Sequence, residues 1–291
     1  MLDDDLSKVL FDRMLVLRGT SERHFYYPRI NFHDLVTIEE SSAFESNELP
    51  TDYAGLPLLV FTLKLNTRSS PPLRVLSTKL QIDLLNNYFQ YLVCRELIDF
   101  SPAQGDVVFD CGACIGEVST IFAGLVGVRG QVHLFDPIPL HTKYSQFQGS
   151  LNRTLEDVLH INTLAVGDVS SISTGERTDV KKISPGGLAI DTFNITSLDD
   201  YADNKNLNRV DFIKMDIEGS ELAALSGAEQ TIRYKKPKLA ISAYHKPEDL
   251  WEIPNKIKEQ NSGYKLYFGH HSPIFWESVY YAWDPKSEKD K

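Results

Sequence analysis

Seven short apolar segments after residue 106 constrain the fold of this chain more than any other feature. They are rich in Val, Ile, Leu and Phe, and they span residues 107–110, 131–135, 159–164, 210–215, 238–243, 265–268 and 279–283. Strands that alternate with helical patterns form a parallel sheet with helices on both faces. The last two segments are joined by a loop too short for a helix, so we expect them to pair antiparallel.

Helical patterns separate several of these segments, at residues 117–125, 140–151, 220–234 and 247–260. Pro254 is expected to kink or interrupt the last of them. A capping box at residues 78–81 predicts one more helix, which runs to Phe100.

Five parallel strands followed by a terminal hairpin are the plan of the class I methyltransferase fold, a Rossmann-like α/β fold. The pattern therefore predicts a seven-stranded, mostly parallel sheet within residues 78–291. Residues 1–77 show weaker patterns and are predicted to form a small N-terminal cap region.

The charge balance argues against a nucleic-acid ligand. The chain has 30 Lys and Arg residues against 40 Asp and Glu residues, a formal charge of −10, whereas phosphate backbones are bound by basic side chains.

The N-terminal sequence lacks the features of a signal peptide, and no apolar run is long enough to span a bilayer. Three cysteines do not provide a disulfide framework. We therefore expect a cytoplasmic protein without a nucleic-acid or membrane partner.

The segment VVFDCGACIG, residues 107–116, is the most informative stretch for function. An apolar strand runs into Asp110, then into a glycine-bearing turn and the start of a helix. In open parallel sheets such turns lie at the carboxyl ends of strands, where ligands bind. Gly112 allows a sharp turn, and Gly116 allows a ligand or the sheet to approach closely. The N–H groups at the helix start attract an anionic group.

The turn suits an amino-acid group better than a diphosphate. Cys114 stands where the dinucleotide fingerprint has its second glycine, and Asp110 places a carboxylate beside the same pocket. S-adenosylmethionine fits, because its carboxylate can meet the helix N–H groups while its ammonium group meets Asp110. Asp136 ends the second strand 26 residues later, close to the separation expected for an acid that binds a ribose. A turn that serves only the fold is the alternative.

Two segments resemble the FkbM family of S-adenosylmethionine-dependent methyltransferases. Residues 107–120 contain the family's D-x-G-A-x-x-G pattern, and residues 210–228, VDFIKMDIEGSELAALSGA, contain its IK-x-D-x-EG-x-E pattern. The acid-proline pair at residues 136–137 and the AVGD segment at residues 165–168 also resemble the family. The chain departs from it at Cys114, where Asn is common, and at Asp136, where Glu is common.

The resemblance implies that the cofactor is S-adenosyl-L-methionine and that residues 78–291 form the domain that binds it. The cofactor-binding residues it implies are Asp110, Gly112, Ala113, Gly116, Glu117, Ser119, Asp136, Pro137, Val166, Asp168 and Asp216. It also implies O-methylation of a hydroxyl group on a sugar or secondary metabolite, so the expected partner is a small-molecule or glycan hydroxyl acceptor.

Methylation of an alcohol benefits from a base that removes its proton. Asp216 and Glu218 follow the fourth strand and His245 follows the fifth, and these are the predicted catalytic residues. His245 is the first candidate, because an imidazole with a pKa of about 6.5 accepts a proton at neutral pH. The two acids also fit the first turn of a helix, and His245 also fits a loop. Lys214, inside an apolar strand, is expected to pair with a neighbouring acid.

Carboxylate and imidazole groups suit a divalent metal, but the spacing does not require one and no metal is predicted. Two other functions stay open, a nicotinamide-dependent oxidoreductase and a non-catalytic binding module. The missing fingerprint glycine argues against the oxidoreductase. The pair Cys111 and Cys114 also matches a dithiol redox motif, although Asp110 would raise the thiol pKa.

Overall fold

The computed structural model describes residues 2–19, 36–65, 71–88, 90–95, 98–174, 192–272 and 276–285. These residues form seven α-helices: α1 (Asp5–Gly19), α2 (Lys79–Tyr88), α3 (Glu117–Val126), α4 (Pro139–Leu151), α5 (Leu198–Asn204), α6 (Glu221–Ser226) and α7 (Asp249–Gln260). No helix among the described residues combines the length and the apolar character needed to cross a bilayer.

The described residues also form sixteen strands: β1 (Val36–Ala43), β2 (Asp52–Tyr53), β3 (Leu56–Leu65), β4 (Leu73–Thr78), β5 (Cys94–Arg95), β6 (Ile98–Asp99), β7 (Val107–Cys111), β8 (Gln131–Phe135), β9 (Leu159–Asn162), β10 (Ala165–Val166), β11 (Ser171–Thr174), β12 (Thr192–Thr196), β13 (Phe212–Met215), β14 (Lys238–Ser242), β15 (Lys265–His270) and β16 (Ser278–Trp283).

A seven-stranded sheet forms the centre of the fold, in the order β15-β16-β14-β13-β7-β8-β9. Strands β7, β8, β9, β13 and β14 are mutually parallel. Strand β16 is antiparallel to both of its neighbours, so the sheet ends in the β15–β16 hairpin. The predicted class I methyltransferase fold is therefore confirmed.

Three neighbouring strands bring the predicted site residues to one edge of this sheet. Strand β13 lies between β7 and β14, and Met215 pairs with Cys111 in register. The carboxyl ends of these strands therefore coincide. The loops that leave them carry Gly112, Asp216 and His245, at the edge where open parallel sheets bind ligands.

The N-terminal residues pack on both faces of the central sheet. On one face, Leu10 and Met14 of α1 join the apolar cluster that includes Phe268. On the other face, Phe61 of β3 packs in the cluster that includes Phe122 of α3. The four-stranded sheet formed by β1, β2, β3 and β4 thus shares its core with the central sheet.

The helix after the capping box is shorter than the sequence predicts. The Gln81 N–H donates to the Thr78 hydroxyl at 3.2 Å, as a capping box requires. However, α2 ends at Tyr88 and does not reach Phe100. The chain beyond α2 forms the antiparallel pair of β5 and β6. Phe100 is buried, and its N–H donates to the Val93 carbonyl at 2.9 Å. Apolar spacing alone did not distinguish this arrangement from one face of a helix.

Helix α7 is continuous through Pro254, which the sequence predicted to kink or interrupt it. Proline cannot donate to the carbonyl four residues earlier, which here belongs to Leu250. The Tyr280 hydroxyl donates to that carbonyl at 2.6 Å. A tertiary hydrogen bond thus satisfies the acceptor that the helix leaves free.

The helix predicted at residues 220–234 is divided. It forms α6 and then a π-helical turn at Thr231–Lys235. The division falls at Gly227, where a Cβ would lie 2.1 Å from the carbonyl oxygen of Gly167. Close backbone approach therefore decides this boundary, and helical periodicity does not reveal it.

Candidate active site

A buried ion pair holds the turn that follows β7. Asp110 is fully buried and lies 2.8 Å from Nζ of Lys214. The Ser119 hydroxyl donates to the same carboxylate at 2.5 Å, and Lys214 donates to the Gly112 carbonyl at 2.7 Å. The pairing predicted for Lys214 is confirmed. The direct ligand contact predicted for Asp110 stays a prediction, and both of its carboxylate oxygens already have partners within the chain.

The charge on Lys214 is stabilised by its neighbours. Burial alone lowers the pKa of an amine, but the carboxylates of Asp110 and Asp216 raise the pKa of Lys214 above its ordinary value. Lys214 is therefore charged at neutral pH, and its contacts with Asp110 and Gly112 join β7, β13 and the glycine turn.

The chain itself requires glycine at positions 112 and 116. Their φ angles are +79° and +88°, in the left-handed region that favours glycine. A Cβ on Gly112 would lie 1.8 Å from the Asp216 carbonyl oxygen, and one on Gly116 would lie 2.7 Å from Oγ of Ser145. The groups that approach these two glycines closely therefore belong to the chain itself. They are Asp216, which follows β13, and Ser145 of α4.

Glu117, the first residue of α3, has a carboxyl oxygen without a partner. The residue is 5% exposed, and its buried Oε2 has no hydrogen-bond partner among the described residues. Burial raises the pKa of this carboxyl to about 7. A buried carboxyl oxygen without a partner costs stability, and buried acids with a perturbed pKa are typical of ligand sites. A cationic or hydroxyl-bearing ligand group fits this position.

Asp136 belongs to a hydrogen-bond network that reaches the N-terminal sheet. The Cys114 N–H donates to Oδ2 of Asp136 at 3.0 Å, and Oδ1 lies 3.0 Å from Nδ1 of His141. The Tyr53 hydroxyl lies 3.1 Å from Nε2 of His141 and 3.2 Å from Sγ of Cys114. Asp136 is thereby connected both to the glycine turn and to β2.

We expect Tyr53→Phe to lower the free energy of unfolding by about 1 kcal/mol. The ring packing is kept, but His141 and Cys114 lose a hydrogen-bond partner. Urea unfolding measures the change, and Tyr234→Phe, at an exposed tyrosine, is the matched control. Equal stability of Tyr53→Phe and the wild type would mean that this network does not stabilise the fold.

The loops after β13 and β14 form an acidic cluster around His245, made of Asp216, Glu218 and Glu221. Nε2 of His245 lies 3.5 Å from Oδ1 of Asp216 and 3.6 Å from Oε2 of Glu218. Nδ1 lies 2.9 Å from Oε1 of Glu221. The structure thus brings the three predicted catalytic residues together and adds Glu221, for which no role was predicted.

Asp216 connects this cluster with two tyrosines. The hydroxyl groups of Tyr91 and Tyr244 donate to its two carboxylate oxygens at 2.8 and 2.9 Å. Burial alone raises a carboxyl pKa, but Lys214, His245 and these hydrogen bonds hold the pKa of Asp216 below its usual value. Asp216 is therefore ionised at neutral pH.

His245 is poorly suited to accept a proton at neutral pH. Burial alone lowers the pKa of an imidazole, but the contact with Glu221 and the charges of Asp216 and Glu218 raise it to about 9. The ring is therefore mostly protonated at pH 7 and lacks the lone pair that a base requires. The general-base role predicted for His245 is inconsistent with these surroundings.

The remaining residues predicted to bind the cofactor lie in different surroundings. Val166 is buried in β10, which pairs with β12, and Asp168 is exposed at the surface. The N–H of buried Ala113 bonds to the Phe135 carbonyl at 3.0 Å. Pro137 is half-buried beside Asp136. Val166 and Ala113 therefore contribute their side chains to packing.

Cys111 and Cys114 do not have the properties of a redox pair. Both are free thiols, and burial raises the pKa of each above its ordinary value. Reactive dithiols have a lowered thiol pKa. The C-x-x-C spacing therefore reflects the turn and not redox chemistry.

Some residues of the site were not predicted from the sequence. Glu221 had a detectable signal, because it is the last acid of the segment that contains Asp216 and Glu218. Tyr53 had none, since it reaches the site from the N-terminal sheet. Glu277, whose pKa burial and nearby Asp216 raise to about 7, precedes the last strand in a loop without a motif.

Comparisons with known proteins identify a family. Residues 110–266, more than half of the chain, match the model of the Methyltransferase FkbM domain. The crystal structure of the methyltransferase FkbM from Methylobacillus flagellatus KT is 31% identical over 67% of this chain, with a TM-score of 0.51. The match covers 48% of that protein, so this chain spans about half of its length.

Two further structures are more distant. A SAM-dependent methyltransferase from Aquifex aeolicus is 17% identical over 62% of this chain and 84% of its own, with a TM-score of 0.37. Aeropyrum pernix fibrillarin, solved with bound S-adenosyl-L-methionine, is 12% identical over 84% of this chain and 100% of its own, with a TM-score of 0.40. No curated protein matches the chain.

Proposed function

Because the chain belongs to the FkbM methyltransferase family, we propose that it transfers a methyl group from S-adenosylmethionine to a hydroxyl oxygen of a small molecule or glycan. The observation that carries the proposal is the buried, unpartnered carboxyl oxygen of Glu117 beside the glycine turn. A ligand with a cationic group would give this oxygen its partner.

The proposal assigns the cofactor to the turn after β7. S-adenosylmethionine supplies a methyl group that its sulfonium already activates. Glu117 would pair with the ammonium group, and Asp136 would accept hydrogen bonds from the ribose hydroxyl groups. The ion pair of Lys214 and Asp110 would hold this turn in place, because Nζ of Lys214 also donates to the Gly112 carbonyl at 2.7 Å.

The proposal assigns the acceptor to the end of β13. Asp216 directly follows this strand, and its carbonyl approaches Gly112, so the two assigned sites are adjacent. The Glu218 side chain is 45% exposed and can be reached from solvent. Carboxylates accept hydrogen bonds from hydroxyl groups, and the charges of Asp216, Glu218 and Glu221 would repel a phosphorylated acceptor. A neutral, hydroxyl-rich acceptor fits best.

The chain's own contribution would be mainly placement. Holding two reactants in line and excluding water supplies up to about 7–11 kcal/mol of a reaction barrier. Asp216 is fixed by Tyr91 and Tyr244, so its carboxylate can orient an acceptor hydroxyl and receive its proton. Glu218 would act as a second hydrogen-bond acceptor at the same hydroxyl-rich surface.

We expect Asp136→Asn to raise the Kd for S-adenosylhomocysteine, the demethylated cofactor, about tenfold. The amide keeps the shape, but a hydrogen bond to a charged group, worth about 1.5–3 kcal/mol, is lost. Calorimetric titration measures the Kd, and Asp203→Asn, at an exposed acid, is the control. An unchanged Kd in Asp136→Asn would place Asp136 outside the ribose site.

The reaction is tested with methyl-labelled S-adenosylmethionine and a panel of sugars, polyols, amines and carboxylic acids. Label in a base-stable ether supports the proposal. Label in a base-labile ester or in an amine would replace it with carboxyl or nitrogen methylation. A protein that binds the cofactor and labels none of these acceptors would favour the non-catalytic binding module.

A further inference from the structure

The acidic cluster around His245 contains donor atoms that suit a metal ion. We propose that Asp216, Glu218 and His245 bind a divalent cation of the Mn²⁺ type, with Glu221 orienting the imidazole. One donor atom from each of Asp216, Glu221 and His245 lies within 4.8 Å of the other two, and Glu218 adjoins this group through its Oε2, 3.6 Å from Nε2 of His245. The site goes beyond the proposed function, because methyl transfer from a sulfonium does not itself require a metal.

The central atom of this proposal is Nε2 of His245, which carries a proton when the site is empty and would release it on binding a cation. The side chain is 9% exposed, and Nε2 is buried without a hydrogen-bond partner among the described residues. Its neighbours are Oδ1 of Asp216 at 3.5 Å and Oε2 of Glu218 at 3.6 Å. Two ligands of one cation, each about 2.1–2.2 Å from it, are about 3.0–3.6 Å apart at ordinary coordination angles. Each of the two carboxylate oxygens therefore lies at a distance from Nε2 that two ligands of one cation show.

Glu221 provides a second, independent observation. Its side chain is 1% exposed, and Oε1 lies 2.9 Å from Nδ1 of His245. The Ile217 N–H donates to the same oxygen at 2.9 Å, which holds the carboxylate in place. Histidine ligands commonly pair their second nitrogen with a carboxylate, and Glu221 lies within reach of Nδ1, although the two atoms are not aligned as a hydrogen bond in the unliganded chain. Oε2 of Glu221 is buried and has no partner in the described part of the chain, so a cation-bound water would satisfy it.

Asp216 is held in an orientation that leaves it able to coordinate. Tyr91 and Tyr244 each donate to a different oxygen of its carboxylate. An ionised carboxylate has about four acceptor sites, so each oxygen keeps capacity for a cation. The two hydrogen bonds restrict its rotation, which favours binding by reducing the ordering cost.

The charges of the cluster also favour a dication. Asp216, Glu218 and Glu221 place three carboxyl groups around one imidazole. Carboxylates suit Mn²⁺ and imidazole suits transition metals, so the mixed set fits Mn²⁺ better than Ca²⁺. If the proposed function holds, the cation would lie at the acceptor end and lower the pKa of the acceptor hydroxyl. That role rests on the proposed function, whereas the binding site does not.

The test is a Mn²⁺ titration of the chelator-treated protein, without cofactor or acceptor. Bound Mn²⁺ is measured from the loss of the free-ion EPR signal. We expect one Mn²⁺ per chain in the wild type and at least tenfold weaker binding in Asp216→Asn and in His245→Gln. Asp203→Asn and His160→Gln are the matched controls outside the cluster and should bind like the wild type.

Glu218→Gln is the variant with the smallest risk to folding, since this side chain is 45% exposed. We expect it to weaken Mn²⁺ binding several-fold. A wild type that binds S-adenosylhomocysteine but no Mn²⁺ would overturn the cation site and leave the proposed function intact. Mn²⁺ binding unchanged in all three cluster variants would place the ion elsewhere and would also overturn it. Failure of the proposed function shows separately, as absent cofactor binding or methyl transfer.

Discussion

Lys214→Met is expected to lower the free energy of unfolding by about 3–5 kcal/mol. The substitution removes the cation that lies 2.8 Å from Asp110 and leaves a fully buried carboxylate without a counter-charge. It also removes the donor to the Gly112 carbonyl, so the glycine turn loses a contact. Urea unfolding followed by circular dichroism measures the loss.

Two variants control this result. Lys265→Met changes an exposed lysine of β15 and should alter stability by less than about 0.5 kcal/mol. The double variant with Lys214→Met and Asp110→Asn should recover part of the loss, because no charge is then buried unpaired. Wild-type stability of the single variant would show that Asp110 does not depend on Lys214.

Glu117→Gln is expected to weaken the binding of S-adenosylhomocysteine at least tenfold and to stabilise the unliganded protein at pH 8. Affinity falls because the amide carries no charge to pair with an ammonium group. Stability rises because the variant lacks an acid whose pKa is raised by burial from an ordinary value of 4.5 to about 7. The folded state holds the proton of Glu117 more tightly than the unfolded chain does.

Because folding raises the pKa of Glu117, the free energy of unfolding of the wild type falls relative to the variant as pH rises. Ionisation of Glu117 costs no stability below about pH 4.5, and this cost grows as pH rises and is complete above about pH 7. The limiting difference between wild type and variant is about 3 kcal/mol. Unfolding at pH 5 and pH 8 measures it, with Glu259→Gln, at an exposed acid, as control. A variant that is equally stable at pH 8 and binds equally well would remove Glu117 from the site.

The central sheet was predictable because buried parallel strands are continuous apolar runs. Strand β8 has the predicted bounds, and the other six strands differ by only a few residues. Features that depend on distant partners were not predictable. Helix α7 continues through Pro254 only because Tyr280, distant in sequence, donates to Leu250. The helix predicted at 220–234 divides where Gly227 meets the Gly167 backbone.

The positions of the site residues were more predictable than the protonation states of their side chains. Asp216, Glu218 and His245 follow adjacent parallel strands, so topology alone brings them together. The pKa of His245, however, depends on its 2.9 Å contact with Glu221, which only the folded loops create. The partners of Glu117 and Asp110 are likewise a result of packing. Asp110 contacts Lys214 and Ser119, whereas Oε2 of Glu117 has no partner among the described residues.

The most direct test of the central claim, that the turn after β7 binds S-adenosylmethionine, is a calorimetric titration of the wild type and Glu117→Gln with S-adenosylhomocysteine and, separately, with NAD⁺. We predict one S-adenosylhomocysteine per wild-type chain, at least tenfold weaker binding by Glu117→Gln, and no binding of NAD⁺. Binding of NAD⁺ without binding of S-adenosylhomocysteine would contradict the assignment and favour an oxidoreductase on the same sheet.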